Sequence, residues 1–394
     1  MTRDLDVVLV GATGFTGTLA AEHLARTAPA DLRWALAGRS AEKLSALRDR
    51  LAAIAPGLAD LELVVVDSHD ATALKVLAER SRVVIAAVGP YLEHGDPLVA
   101  ACAAVGTDYV DLTGEPEFVD RTYLRHHATA LASGARLVHS CGFDSVPHDL
   151  GALFTVRQLP TTDRPVRLRG VVRAEGGVSG GTFASLLGVA SRIPQMRAAA
   201  RERAAVEPAP ADGRRSRPVT LRPSRDPLLG CWLLPLPAID QEIVARSGAA
   251  MADFGPDFSY SHAAGIRRAP VLVGALGGVG VAVAAAQIAP VRRFLTRRLP
   301  SGTGPSDEVR GRSTFTVDMI AEAGPTTVHA RVSGMDPYDL SGIALAESAL
   351  CLALDDNPST AGQVTTAQAM GTALTARLER AGVRFEVVAP HQPG

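Results

Sequence analysis

Gly11, Gly14 and Gly17 recur every third residue in the run Gly11-Ala12-Thr13-Gly14-Phe15-Thr16-Gly17, directly after the apolar stretch Val7-Val8-Leu9-Val10. Glycines so placed allow a tight strand-to-helix turn, close approach of backbone to a pyrophosphate, and close packing of helix on strand. The helix N-terminus then presents its free N–H groups to the anion. The spacing is GxxGxxG rather than the commoner GxGxxG, so position carries the signal. The alternative is a glycine turn without a ligand, which α/β proteins also contain.

A dinucleotide site that takes NAD carries an acid at the end of its second strand to accept from the ribose hydroxyls. Here that strand, Trp34-Ala35-Leu36-Ala37, ends in Gly38-Arg39-Ser40. Arg39 offers a planar fork for a 2′-phosphate and Ser40 a hydroxyl, so the expected cofactor is NADP. Ser40 also suits an N-cap for the helix that follows. A cation at that position is opposed by the helix dipole unless an anion lies between them. Asp67 closes the third strand, either near the adenine or as a helix cap.

Ligands of open α/β sheets lie beyond the carboxyl ends of the strands. The loops expected there are Val88-Gly89-Pro90-Tyr91, Leu112-Thr113-Gly114-Glu115 and Cys141-Gly142-Phe143-Asp144-Ser145. Gly89 and Pro90 fall on the cofactor side. Gly142, Phe143, Asp144 and Ser145, with Tyr91, are candidates for a substrate pocket. Tyr91 and His94 can donate a proton or polarise a carbonyl. The alternative packs Tyr91 at a loop edge and leaves His94 ahead of a cap at Asp96. Of Asp144 and Ser145, one is expected to cap the next helix and the other to line the pocket. Cys141 reads as a packed thiol.

These residues need a scaffold, and the first ~150 residues supply the pattern of a Rossmann domain, a size usual for one domain. Apolar runs at 6–10, 33–37, 61–66, 82–87, 108–112 and 136–140 alternate with helical stretches. The runs lack inside-outside alternation, as strands of a sheet covered on both faces do. The fold class is α/β, a doubly wound parallel sheet followed by a second α/β domain on a mostly antiparallel sheet. The expected domains are 1–150 for the nucleotide, 151–340 for the substrate, and 341–394 as helices packing back on the first. Val166–Arg173 and Ser313–Val332 are strand-like, the latter folded about Gly324-Pro325.

Two segments stand apart. Residues 201–226 carry seven arginines among prolines and alanines, and read as a mobile surface loop that could meet an acidic carrier protein. Residues 271–289 are uncharged, contain several glycines, and are flanked by arginines on both sides. A buried helix, a membrane-surface contact through 271–298, or a span all fit that pattern.

Hydrophobic residues make up 47% and charged residues 21% of the chain, which excludes wholesale disorder. A net charge of −1 gives no whole-protein argument for nucleic-acid binding and leaves room only for local basic patches. Four scattered cysteines without a CxxC suggest neither a disulfide framework nor a metal site. No long apolar leader precedes the first strand, so the expected location is cytoplasmic, with peripheral membrane contact an option.

The motifs VLVGATGFTG, LAGRS, AAVGPY, GTDYVDLTGE and CGFDSVPHDLG resemble those of the saccharopine dehydrogenase-like reductases, and most closely the trans-acting enoyl reductases of actinobacterial lipid biosynthesis. The likeness extends through Ser179–Ser185, Gly302–Ser306 and the stretch around Thr366–Gly371. It implies an NADP-dependent oxidoreductase acting on a C=C bond in a long or carrier-bound acyl chain, in trans with a polyketide synthase or its acyl-carrier protein. Such a reduction forms an enolate oxygen, for which backbone amides near Gly142 or Phe143 are this sequence's own candidate donors, since no catalytic residue of the family transfers onto it. Two rival readings stand beside it: an imine-forming amino-acid dehydrogenase of the saccharopine type, and a lipid-associated NADP-binding protein without turnover.

Overall fold

A computed structural model describes residues 3–174, 189–236, 238–274, 277–278, 287–288 and 304–388. The Ser179–Ser185 motif and most of 271–298 lie outside the described residues.

Six strands, β1 (Leu5–Val10), β2 (Trp34–Gly38), β3 (Glu62–Val65), β4 (Ser81–Ala86), β5 (Asp108–Asp111) and β6 (Arg136–Val138), alternate with helices. The helices are α1 (Phe15–Thr27), α2 (Ala41–Ile54), α3 (Ala71–Arg80), α4 (Tyr91–His94), α5 (Asp96–Val105) and α6 (Pro116–Ser133). Val7, Val8 and Leu9 are fully buried, which is why β1 reads as an unbroken apolar run. Asp70 starts α3 by accepting from the Thr72 and Ala73 amides, and Gly106 and Gly134 end α5 and α6 in the left-handed conformation.

Beyond α7 (Val146–Val156) come β7 (Val166–Ala174), β8 (Arg215–Pro218), β9 (Ser224–Asp226), β10 (Cys231–Pro235), β11 (Asp257–Ile266), β12 (Phe315–Ala323), β13 (Thr326–Gly334), β14 (Gly362–Val364) and β15 (Arg384–Val387). The parallel sheet runs β14-β6-β5-β4-β1-β2-β3. Its seventh strand, β14, comes from near the far end of the sequence. The second sheet runs β15-β13-β12-β7-β11-β10-β9, with β8 also on β11. It is mixed: β7 and β8 pair parallel to β11, and the remaining pairs are antiparallel. Gly324, at φ +60, turns β12 into β13 as expected.

The helix Pro337–Leu354 lies on α1. A side chain at Gly342 would begin 2.7 Å from Leu19 Cβ, so the absence of one lets the two helices approach. His23 of α1 lies 2.7 Å from Glu347 of that helix, whose other carboxylate oxygen takes a bond from Arg377. The helix Pro337–Leu354 thus packs on the first half of the chain, and Arg377 joins it from the helix Gly371–Arg380.

Residues 201–226 depart from the expected loop. They finish a helix, Ile193–Val206, and then form β8 and β9. Tertiary partners override the weak local pattern. Arg203 is 4% exposed, sits 3.9 Å over the Tyr123 ring, and bonds Gln363, Glu207 and Asp120. Arg217 pairs with Asp257, and Arg214 with Asp212. Of the apolar segment, Leu272 is buried while Val271 and Val273 are exposed. No helix among the described residues is long and apolar enough to cross a membrane.

Candidate active site at the carboxyl edge of the parallel sheet

The glycine turn is shaped by what it excludes. Gly11 has φ +82, and a Cβ there would enter the Ala87 carbonyl; a Cβ on Gly17 would enter the Gly11 carbonyl. Gly14 donates its amide to Gly11 O at 3.0 Å and stands at the N-cap of α1, whose first turn holds no acid. The result is an open, positively polarised helix start that fits a pyrophosphate. Thr13 is exposed and Thr16 partly so. Phe15 turns toward the second half of the chain, edge-on to Tyr338 with ring centroids 5.5 Å apart and the Arg310 guanidinium 5.6 Å from its centre.

Arg39 is exposed at the carboxyl end of β2, and among the described residues nothing is recorded as pairing with it. Ser40 caps α2 by accepting from Lys43 N at 3.3 Å. Asp67 is exposed and folds its own loop by accepting from His69 N at 2.8 Å.

Tyr91 is buried, 4% exposed. Its hydroxyl donates to Ala86 O at 2.9 Å and accepts from Leu112 N at 3.4 Å. Burial, with Asp111 nearby, pushes the phenol far above its ordinary range. The geometry thus spends the Tyr91 proton on the end of β4 rather than offering it to a ligand. His94 turns to His69, with Nδ1 and Nε2 3.1 Å apart, in the segment after β3. The structure does not bring these two expected donors together. Gly89 and Pro90 bridge β4 to α4, where the Glu115 carboxylate accepts from the Tyr91 and Leu92 amides at 3.0 Å each.

The loops after β5 and β6 are held by Asp111, which is fully buried. One of its oxygens accepts from Thr113 N and Ser140 N; the other meets His139 Nδ1 at 2.7 Å and Tyr109 OH at 3.0 Å. Ser140 adopts φ +62, a left-handed state costing roughly 1–2 kcal/mol for a side-chain-bearing residue. Its bonds to Asp111 and to Thr113 O hold it there and aim Gly142–Ser145 outward from the sheet. Gly142 is buried against Leu112 and Ser341. The Phe143 amide donates to Ser341 Oγ at 3.1 Å, so it is already engaged and is not a free oxyanion donor.

Ser145 stands at the N-cap of α7 without a side-chain capping bond, and its buried Oγ has no partner among the described residues. Asp144 does not cap either. Its carboxylate lies 3.5 Å from where a side chain on Gly114 would begin, joining the loops after β5 and β6. Asp144 is open to solvent yet walled by protein, as a side chain in a cleft is. Those walls, and then the Asp240 carboxylate, push its acid up from the ordinary value, while His262 pulls it back.

Across this cleft edge the fold assembles a cluster that no sequence motif marks. His148 comes from the first turn of α7, Asp240 opens the helix Asp240–Ala250, and Tyr260 and His262 share one face of β11, being two residues apart. His262 Nδ1 lies 2.8 Å from Asp240 Oδ1, Tyr260 OH 3.1 Å from Asp240 Oδ2, and His148 Nδ1 3.1 Å from Tyr260 OH. With Asp240 ionised, proton placement follows from the partners. His148 donates through Nδ1 to Tyr260, Tyr260 donates to Asp240, and His262 donates through Nδ1 to Asp240. Burial resists the Asp240 charge, but the two imidazoles and these bonds outweigh it and hold the carboxyl below its usual range. Burial pushes His148 down to about 3, so it is neutral. His262 Nε2 is buried with no partner among the described residues. Ligand-type atoms of His148, Asp240 and His262 fall within 4.8 Å of one another, a spacing that could also hold a cation.

Residues 7–138 match the family model for the saccharopine dehydrogenase NADP binding domain. A Mycobacterium tuberculosis protein is 38% identical over 98% of this chain and 97% of its own length. Proteins named trans-acting enoyl reductase from Mycobacterium tuberculosis and Mycobacterium ulcerans are each 36% identical over 97% of both chains. Among solved structures, apo saccharopine dehydrogenase (L-Glu forming) from Saccharomyces cerevisiae superposes with a TM-score of 0.59 at 13% identity, covering 98% of this chain and 100% of that one. That last likeness is one of fold. The glycine cradle and the nearly full-length kinship agree: the chain belongs to the trans-acting enoyl reductase family of saccharopine dehydrogenase-like, NADP-dependent oxidoreductases.

Proposed function

We propose that this protein reduces the C=C bond of a 2-enoyl thioester on a long or carrier-bound acyl chain, working in trans with a polyketide synthase. The observation that carries this reading is the 36–38% identity, along essentially the whole chain, to proteins of that designation. The cleft supports it. Gly11, Gly14 and Gly17 would hold the pyrophosphate of NADPH, Arg39 and Ser40 would take its 2′-phosphate, and Gly89 and Pro90 would border the nicotinamide end, which would supply hydride for the β-carbon of the acyl chain. Gly142–Ser145 would line the substrate side. The chain must then bear the enolate charge and deliver a proton to the α-carbon.

A saccharopine-type dehydrogenase would need cationic side chains to grip several substrate carboxylates. Asp144, the exposed ionisable group described on the loop after β6, is a carboxyl group rather than a cation, which favours the enoyl reading. Purified protein with NADPH and 2-enoyl thioesters of graded length should oxidise the nucleotide. No change in its absorbance with any chain length, alongside turnover of an amino acid, would reverse the assignment. Cofactor binding without turnover of either would leave the non-catalytic reading.

A further inference from the structure

Resting on the enoyl reading above, we propose that His262 is the acid that protonates the α-carbon, with Asp240 as its positioning residue. Four observations converge on it. Asp240 fixes the ring through Nδ1 at 2.8 Å, which leaves Nε2 as the reactive nitrogen. That nitrogen is buried and has no partner among the described residues, an expensive state to maintain without use. Asp240 is itself held as a carboxylate by Tyr260 and by its place at a helix start, so it supplies the negative charge that the proton-carrying ring requires. The His262 ring lies 4.4 Å, centroid to centroid, from that of His148, in the first turn of the helix that directly follows the Gly142–Ser145 loop, which puts the pair beside the loops where the nicotinamide end is expected.

The step balances simply. As hydride arrives at the β-carbon, the C=C electron pair becomes an enolate. The Nε2–H bond of the His262 imidazolium breaks, a C–H bond forms at the α-carbon, and the N–H electron pair stays on the ring. Neutral His262 is recharged by a proton from water. His148 and Tyr260 keep their protons and serve to hold Asp240. Their hydrogen bonds occupy His148 Nδ1 and Asp240 Oδ2.

The test is reduction of a 2-enoyl thioester in D2O by the wild type, H262Q and D240N. We expect H262Q to lose kcat on the order of 10²-fold, the lower end for a general acid, with the NADPH dissociation constant unchanged. Deuterium enters one face of the α-carbon in the wild type and both faces in H262Q, because water then protonates the enolate. D240N should lower kcat with little change in KM while retaining facial selectivity. An active wild type with an equally active and selective H262Q overturns the proposal alone; a wild type inactive on every enoyl thioester overturns the enoyl reading and this step with it. Stoichiometric metal lost on H148Q substitution would also overturn it. Should H262Q not fold, the wild-type ¹⁵N-histidine spectrum decides: saturated acyl product must move the His262 Nε2 resonance, and an unmoved resonance refutes the role.

Discussion

Arg39 gains its meaning from what surrounds it: an exposed guanidinium at a strand end, beside a helix start that disfavours a cation, with no partner recorded among the described residues. Arg39→Ala should weaken NADPH binding by about 1.5–3 kcal/mol, the worth of a hydrogen bond to a charged group, and leave NADH binding unchanged. Fluorescence titration with both nucleotides measures the difference. The exposed place of Arg39 just after β2 was legible in the sequence because strand geometry fixes it. The His148–Tyr260–Asp240–His262 cluster was not legible. Its members sit on three elements, the first of them far upstream of the other two in the chain, and a histidine in a strand or an acid opening a helix is ordinary when read alone. Tyr91 misled for the converse reason: its loop was placed correctly, but only the fold reveals that its hydroxyl closes the end of β4.

Among elements, α1 and the helix Pro337–Leu354 depend on a missing side chain. Gly342→Leu forces atoms into Leu19 and the backbone of Ala20, and overpacking of this kind costs about 1–3 kcal/mol. The urea midpoint should fall accordingly, and NADPH binding should weaken with it, since α1 carries the phosphate-binding turn. The strands β1, β2 and β4 could be read from sequence because two-sided burial writes itself as near-continuous Val, Leu, Ile and Ala. Three-residue β14, and the strands β8 and β9 within an arginine-rich stretch, could not. Their pairing is decided by neighbours far away in the chain rather than by their own composition.

For the whole molecule, acid sensitivity follows from His148. Its folded pKa lies near 3 and its ordinary value is 6.5, so between these limits the unfolded chain binds the extra proton. Stability is therefore complete above about 6.5 and declines as pH falls toward 3. Carboxylates such as Asp318, held low mainly by His329, Arg331 and Arg173 against the opposing effect of burial, add their loss only below their unfolded value of 3.8. Urea midpoints between pH 7 and pH 4.5 should fall, and His148→Gln should flatten that slope. Ending the chain at Leu354 would remove β14 from one sheet and β15 from the other. Loss of a cooperative thermal transition is the expected result, read by circular dichroism.

The polypeptide leaves the parallel sheet after β6 to build the mixed one, comes back to supply β14, and departs again to end in β15. The two sheets are thus laced by several passages of backbone rather than joined at one tether. Any opening or shutting of the cleft must bend every passage in concert. That restricts the motion to a small sliding or rocking of sheet against sheet, and it ties the seating of a nucleotide at the first strand's turn to the order of β14 and β15.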